Sequence, residues 1–294
     1  MTNVLVTGGA GFIGSHLCEA LLAAGHGVRV LDNLSYGRRE WVPAACEFLE
    51  GDVTDLEACH RAANGVDGIF HLAAMSRSGP SQDLIELCTQ SNITGTQNML
   101  LAARDAGVKR FIYAGSATAY GNLPPPHRED GPLQFLNAYA LTKRTGEEYC
   151  LLFDRHYGVP SMVLRFFSAY GPRQPETGAY ALVLGIFLAR RGAGRPLEIQ
   201  GTGAQRRDFI HVRDIVRACI AAHDSDLRGE ILNVGSGANV SVKELADMIS
   251  PDQVYTEARR DDSMSTLADI ARIRARLGWS PQISFAAGVN ELLR

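Results

Sequence analysis

Val4-Leu5-Val6 runs straight into Thr7-Gly8-Gly9-Ala10-Gly11-Phe12-Ile13-Gly14, and Ile13, Leu17, Ala20 and Leu21 beyond it keep helical spacing. This is a strand, a glycine turn and a helix in that order. Glycines at 8, 11 and 14 allow the turn to be tight, let the backbone approach a pyrophosphate and let the helix pack closely on the strand, while the helix N-terminus offers free N–H groups and a positive dipole end. Asp32 closes the next apolar run, eighteen residues past Gly14. A carboxylate there can accept both ribose hydroxyls of an adenosine. The plain alternative is a glycine turn and, separately, a solvated aspartate; finding the turn, the helix and the acid together weighs against it. Asp32 also repels a 2′-phosphate. Arg38 and Arg39 follow it and could serve such a phosphate, but mobile arginines are outweighed by a carboxylate fixed at a strand end, so NAD is the expected cofactor.

Short β-rich runs continue at Val28 to Leu31, Cys46 to Leu49, Ile69 to Leu72, Arg110 to Ala114 and Met162 to Phe166, with helices expected to begin near Phe12, Thr54, Asp83 and Ala138. The alternation predicts an α/β fold, a doubly wound parallel sheet of the Rossmann kind. Right-handed crossovers then bring the carboxyl ends of the strands to one edge, where ligands bind. The loop after Ala114 falls on that edge. So do Gly51-Asp52-Val53 and Leu72-Ala73-Ala74, which suit adenine and phosphate contacts or are ordinary turns. After about Tyr170 glycine and proline punctuate short elements, as in Gly171-Pro172 and Gly201-Thr202-Gly203. The expected division is a dinucleotide-binding domain over about 1–170 and a smaller mixed α/β lobe over about 171–294, with some of the later chain crossing back.

Partners are bounded by charge. With 29 basic and 32 acidic residues the net charge is -3, which gives no general attraction for nucleic acid or an anionic membrane. Apolar runs such as 179–188 are too short to span a bilayer, and no basic leader precedes Val4, so a cytoplasmic protein is expected. The six cysteines lie far apart, without C-x-x-C spacing or nearby histidines. Buried thiols are expected, and no metal site.

Tyr139 and Lys143 stand four apart in Asn137-Ala138-Tyr139-Ala140-Leu141-Thr142-Lys143, on one face of a helix starting near Asn137. An ammonium beside a phenol favours the phenolate, typically by ~1–3 pKa units from ~10. Such a pair is a common helical accident. Beside a dinucleotide turn it becomes a candidate base.

With these motifs the chain resembles the extended short-chain dehydrogenase/reductase family, and within it the nucleotide-sugar epimerases and dehydratases. The likeness runs nearly the whole length, through Leu31-Asp32-Asn33, Gly51-Asp52-Val53, His71 to Ala74, Ser116-Ala117-Thr118-Ala119-Tyr120-Gly121, Leu164-Arg165-Phe166-Phe167, Tyr170-Gly171-Pro172-Arg173, Arg207 to Val212 and Asn233 to Gly237. The resemblance implies that Ser116 hydrogen-bonds the sugar hydroxyl being oxidised, that Tyr139 removes its proton, and that Lys143 holds the nicotinamide ribose and lowers the tyrosine pKa. It implies cofactor contacts at Gly8, Gly11, Phe12, Ile13, Gly14, Asp32, Asn33, Asp52, Val53, Leu72, Ala73, Ala74, Asn92 and Phe166, besides Tyr139 and Lys143. Substrate contacts are implied at Ser116, Ser168, Arg207, Arg259 and Thr266, the two arginines clamping a UDP. In family 4,6-dehydratases acids follow the matching Ser or Thr and drive loss of water. Here Ala117, Thr118 and Ala119 stand in those places, so the chain looks like a 4-epimerase acting on a UDP-hexose. A dehydratase or reductase of the same family is the alternative. Three positions depart from the family pattern: Ser168 for an asparagine, Asp261 for a glycine and Met264 for an arginine. Thr266 stands where relatives restricted to plain hexoses carry a tyrosine, which leaves room for an acetamido group. The resemblance also implies a homodimer, paired through helices near Asn92 to Ala106 and Ala138 to Tyr157.

Overall fold

In the computed structural model the described residues are 2–76, 78–178, 181–257 and 264–294. The first half alternates strands with helices: β1 (Asn3–Thr7), α1 (Phe12–Ala23), β2 (Gly27–Asp32), β3 (Glu47–Glu50), α2 (Leu56–Ala63), β4 (Gly68–His71), α3 (Ser78–Asp83), α4 (Ile85–Thr89), α5 (Gly95–Asp105), β5 (Arg110–Ser116), α6 (Ala138–His156) and β6 (Ser161–Phe166). A π turn over Gln90–Thr94 joins α4 to α5, and a 3₁₀ turn over Ala117–Tyr120 follows β5. Beyond come β7 (Ser168–Tyr170), α7 (Val183–Gly192), β8 (Leu197–Gln200), β9 (Arg206–Arg207), β10 (Phe209–His211), α8 (Val212–Asp224), β11 (Glu230–Val234), β12 (Val240–Ser241), α9 (Val242–Ile249), β13 (Gln253–Thr256), α10 (Ala271–Leu277) and α11 (Phe285–Leu292).

Seven strands of the described residues form one parallel sheet in the order β11-β6-β5-β4-β1-β2-β3. The order reverses direction at β1, and there the loops after β1 and β4 part to leave a crevice at the strand carboxyl ends. Successive residues of a strand face opposite sides, and the core divides accordingly. Val4 and Val6 join Leu17, Cys18 and Leu21 of α1 and Ile215, Val216 and Cys219 of α8. Leu5 joins Ile69, Phe111, Met99, Leu100 and Cys150 under α2, α5 and α6. Burying each such side chain fully contributes about 1.5–3 kcal/mol, and helices on both faces make that burial complete. A third cluster gathers Tyr170, Leu184, Phe187, Leu197, Ile199, Phe209 and Leu245 around α7 and α9.

The six expected strands agree with the structure to within about a residue or two at each end. The seventh, β11, escapes the sequence reading. Its run is short, follows a punctuated stretch and pairs with β6, which ends 64 residues earlier than Glu230 begins (230 minus 166). The helix expected near Asp83 is broken: α3 ends there and Leu84, in a non-helical conformation, precedes α4. The helix expected near Thr54 begins at Leu56, because the Asp55 side chain caps it by accepting from Glu57 N. All six cysteines are free and buried. Among the described residues no helix is long and apolar enough to cross a membrane.

Candidate active site

The glycine turn is built by contact between backbones. Gly8 has φ +71°, the left-handed region, and a Cβ there would stand 2.8 Å from the Ala73 nitrogen. Gly11 caps α1, and Gly14 lies in its first turn, where a Cβ would stand 2.8 Å from Gly9 Cα. Phe12 and Ile13 sit half-buried at the start of the same helix. The cradle is thus preformed and bare of side chains, which fits a pyrophosphate held by helix N–H groups.

Asp32 ends β2 and is buried, with Oδ2 accepting from Ala10 N at 2.9 Å and Oδ1 from Leu34 N at 2.8 Å. Burial pushes its carboxyl up, and these two N–H groups pull it back. Each oxygen keeps a lone pair for a ribose hydroxyl. Asn33 donates to Asp52 Oδ2 at 2.6 Å, joining the loops after β2 and β3 beside it. Val53 turns inward to the core under α5, while Ala73 N donates to Thr7 Oγ1 at 3.2 Å and Leu72 and Ala74 stay half-buried at the end of β4. Asn92 faces the protein. Its oxygen accepts from Met75 N at 2.8 Å, and its amide donates to Met75 O and Thr142 Oγ1, each at 3.0 Å. It fixes the loop after β4 to α6 from within the π turn.

Ser116 ends β5, side by side with Phe166 of β6. Its Oγ lies 2.8 Å from Thr118 Oγ1 and accepts from Thr118 N at 3.3 Å, capping the 3₁₀ turn. The helix α6 packs on β5 and on that turn. It starts where Asn137 caps it, the side chain accepting from Ala140 N at 2.9 Å, so Tyr139 and Lys143 fall on its first and second turns. Tyr139 N also donates to Ser81 Oγ at 3.1 Å. Tyr139 is half-buried and Lys143 is buried.

Burial lowers the Lys143 pKa to about 8, against the opposing pull of the Glu147 carboxylate. Its ammonium sits 4.4 Å from the centroid of the Tyr113 ring, a cation–π contact in a dry setting. Tyr113 itself is held protonated by burial. His71 donates or accepts between Thr7 Oγ1 at 2.8 Å and Thr96 Oγ1 at 3.1 Å, and burial lowers its pKa to about 3. His71 and Tyr113 beneath Lys143 are therefore both neutral.

The second group of residues gathers around Asp208. This buried carboxylate accepts from Ser236 N at 2.7 Å, Ser236 Oγ at 2.6 Å, Gly237 N at 3.1 Å and Ala268 N at 3.0 Å. Ser168 opens β7, pairs with Phe209 and is half-buried. Arg207 lies half-buried on β9, its Nη1 donating to Arg206 O at 3.0 Å. Thr266 Oγ1 accepts from Asp208 N at 3.2 Å, so its hydroxyl serves the protein as well as facing that group. Arg259 and Asp261 lie outside the described residues; Met264 is exposed.

The sequence reading quotes Thr118, Arg165 and Asp208 only as parts of motifs, without the contacts they make, and passes over Glu147. Two carried a signal: Glu147 continues the Tyr139–Lys143 face by one more turn, and Arg165 is a charge within an otherwise apolar strand. The other two are recognisable only from their partners.

These elements match known proteins along their whole length. Residues 4–235 match the family model of the NAD dependent epimerase/dehydratase family. A UDP-glucose 4-epimerase of Mycolicibacterium smegmatis is 36% identical over 98% of this chain and 96% of its own. The crystal structure of a UDP-glucose 4-epimerase from Thermotoga maritima with UDP-glucose superposes with a TM-score of 0.95 at 33% identity, covering 99% of this chain and 97% of that one. A UDP-N-acetylglucosamine 4-epimerase from Methanobrevibacter ruminantium, in complex with UDP-N-acetylmuramic acid, gives 0.94 at 31% identity, covering 99% and 97%. With its glycine cradle, its Asp32 and its Ser116, Tyr139 and Lys143 in family order, the chain belongs to the NAD-dependent epimerase/dehydratase family.

Proposed function

We propose that the protein is a 4-epimerase of UDP-hexoses, with residues 1–170 taking NAD and 171–294 taking the nucleotide sugar. The observation that carries this is the turn after β5. A 4,6-dehydratase needs an acid there to protonate a leaving hydroxyl, and the turn holds Ala117, Thr118 and Ala119, with the Thr118 hydroxyl already on Ser116 Oγ at 2.8 Å. Oxidation and re-reduction at C4 need no such acid.

Gly8, Gly11 and Gly14 would cradle the pyrophosphate, Asp32 the adenosine ribose, and Lys143 the nicotinamide ribose. The cofactor, when bound, supplies the hydride acceptor and donor. Ser116 orients the C4 hydroxyl by hydrogen bond. Tyr139 takes its proton, because an alcohol gives up hydride only as its O–H proton departs, and returns it after the sugar has presented its other face. Lys143 stabilises the phenolate that this requires. Arg207, with Arg259, would hold the UDP diphosphate, for which guanidinium forks are suited.

Incubation with a panel of nucleotide sugars tests the reading. The expected result is interconversion of C4 epimers with no net change in absorbance at 340 nm; accumulation of a 4-keto or unsaturated sugar from the preferred substrate overturns it. The same reading makes the protein a homodimer. The subunits would pair through the helices near Asn92 to Ala106 and Ala138 to Tyr157, and on the second of these, α6, Leu141 and Leu152 are exposed apolar side chains. Light scattering that finds a monomer at micromolar concentration removes that part.

A further inference from the structure

Two charged side chains inside the protein take no part in the chemistry set out above. Glu147 and Arg165 are each 0% exposed. The Arg165 guanidinium, on β6, reaches the Glu147 carboxylate on α6 with Nε at 3.0 Å and Nη2 at 2.8 Å, a two-pronged charge-assisted pair. Its Nη1 donates to the Tyr120 hydroxyl at 2.9 Å, which donates to Asn233 Oδ1 at 2.7 Å. One guanidinium thus ties the helix of Tyr139 and Lys143 to the turn that follows Ser116. The carboxylate lies directly beneath that strand end, since a Cβ on Gly115 would stand 2.9 Å from Glu147 Oε1.

A buried ion pair is a poor source of stability, because desolvating both charges offsets their attraction. Its value here lies in what stands one turn away. Glu147 and Lys143 are four apart on α6 and share a face. Burial drives Lys143 toward the neutral amine. The groups around it are Tyr113 from β5, Cys88 from α4, His71 from β4, and Tyr139, Glu147 and Cys150 from its own helix. His71 and Tyr113 are held neutral by burial, and so is the Cys150 thiol. Facing Glu147 are Arg165 from β6 and, on its own helix, Arg144, whose Nη1 donates to Oε2 at 3.0 Å.

We propose that Glu147 is a positioning residue that keeps Lys143 cationic, and that Arg165 locks the Glu147 carboxylate in the place from which it does so. The proposal rests on reading Tyr139 and Lys143 as the proton-transfer pair. When Glu147 is neutralised, Lys143 gives up its proton at lower pH, Tyr139 loses its cation, and turnover fails on the alkaline side.

The chain has only three lysines, Lys109, Lys143 and Lys243. Lys109 and Lys243 pair with Asp67 and Asp247, which raise their pKa values, so Lys143 titrates apart from both. Proton–carbon NMR of the holoprotein with labelled lysine, assigned against Lys143→Met, reads its midpoint directly and independently of activity. Glu147→Gln combined with Arg165→Met removes both charges without stranding a lone buried guanidinium. Loss of the Arg165 charge offsets part of the loss of the Glu147 charge, so the Lys143 midpoint is expected to fall by about half a pH unit, with the alkaline limb of kcat moving with it. Arg144→Gln, at the half-buried edge, takes one counter-charge from Glu147 and is expected to raise the midpoint. Glu147→Asp, which keeps the charge, is expected to retain most of the wild-type value. A Lys143 midpoint that stays put in the double variant, or that stays put or falls in Arg144→Gln, overturns the proposal; if the double variant does not fold, Arg144→Gln decides alone. Failure of the functional reading has a different signature, no epimerised product from any nucleotide sugar, with the Lys143 midpoints still moving as expected.

Discussion

Each end of the molecule holds a buried carboxylate that gathers backbone N–H groups, Asp32 beside the glycine turn and Asp208 in the later segments, and the two are supplied by different stretches of chain. Asp32 gathers Ala10 N and Leu34 N, from residues within 22 positions of itself. Asp208 gathers Ser236, Gly237 and Ala268, up to 60 positions away. Both carboxyls are pushed up by burial; N–H groups draw Asp32 back, and the Ser236 hydroxyl together with N–H groups draws Asp208 back. The first is therefore complete once a single strand–helix–strand unit has formed. The second exists only after two distant segments have closed around it, and its order depends on the carboxylate that pins them. Ser116, Tyr139 and Lys143 lie between, delivered by β5 and α6.

If the two ends are independent and the chemistry belongs to neither, Tyr139→Phe should have the largest effect. Turnover is expected to fall by about 10²–10⁴-fold, the usual contribution of a positioned base, while calorimetry finds UDP and NAD binding nearly intact. Near-normal turnover would mean another base.

Asp208→Asn attacks the later end alone. It turns an NH₂ toward groups that are themselves donors, at a cost of about 1–3 kcal/mol. UDP affinity should drop about tenfold or more, with NAD affinity unchanged. An equal loss of both would show that the two ends are coupled and break the comparison.

Thr266→Tyr sharpens it at one position. Overpacking costs about 1–3 kcal/mol, so kcat/KM for UDP-GalNAc should fall about tenfold relative to UDP-Gal. The wild type should accept the acetamido sugars alongside UDP-Glc and UDP-Gal. An unchanged ratio would confine Thr266 to its bond with Asp208 N.

The smallest effect is expected at Asp32. The wild type should bind NAD more tightly than NADP, and Asp32→Asn should narrow the preference by a few-fold, since it removes the charge that repels a 2′-phosphate but leaves one acceptor for the backbone. Equal affinities in the wild type would sink the assignment of Asp32.

The sequence by itself determined whatever lies within one element or between chain neighbours. The glycines at 8, 11 and 14 between a strand and a helical stripe, Asp32 at the end of the next strand, and Tyr139 and Lys143 on one helical face all follow from periodicities of two and 3.6 and from the short turns joining them. Only the tertiary structure decided the rest. It brought β11 back to the sheet beside β6, turned Asn92 inward to Met75 and Thr142, assembled the Asp208 cluster, and set Arg165 against Glu147 under the turn after Ser116. Each of these joins groups on different elements that only the folded chain brings together, and a local pattern cannot say which donor from another element a buried acceptor will meet. Burial decides it, because a polar group taken out of water is kept there only by the partner that the closing fold brings to it.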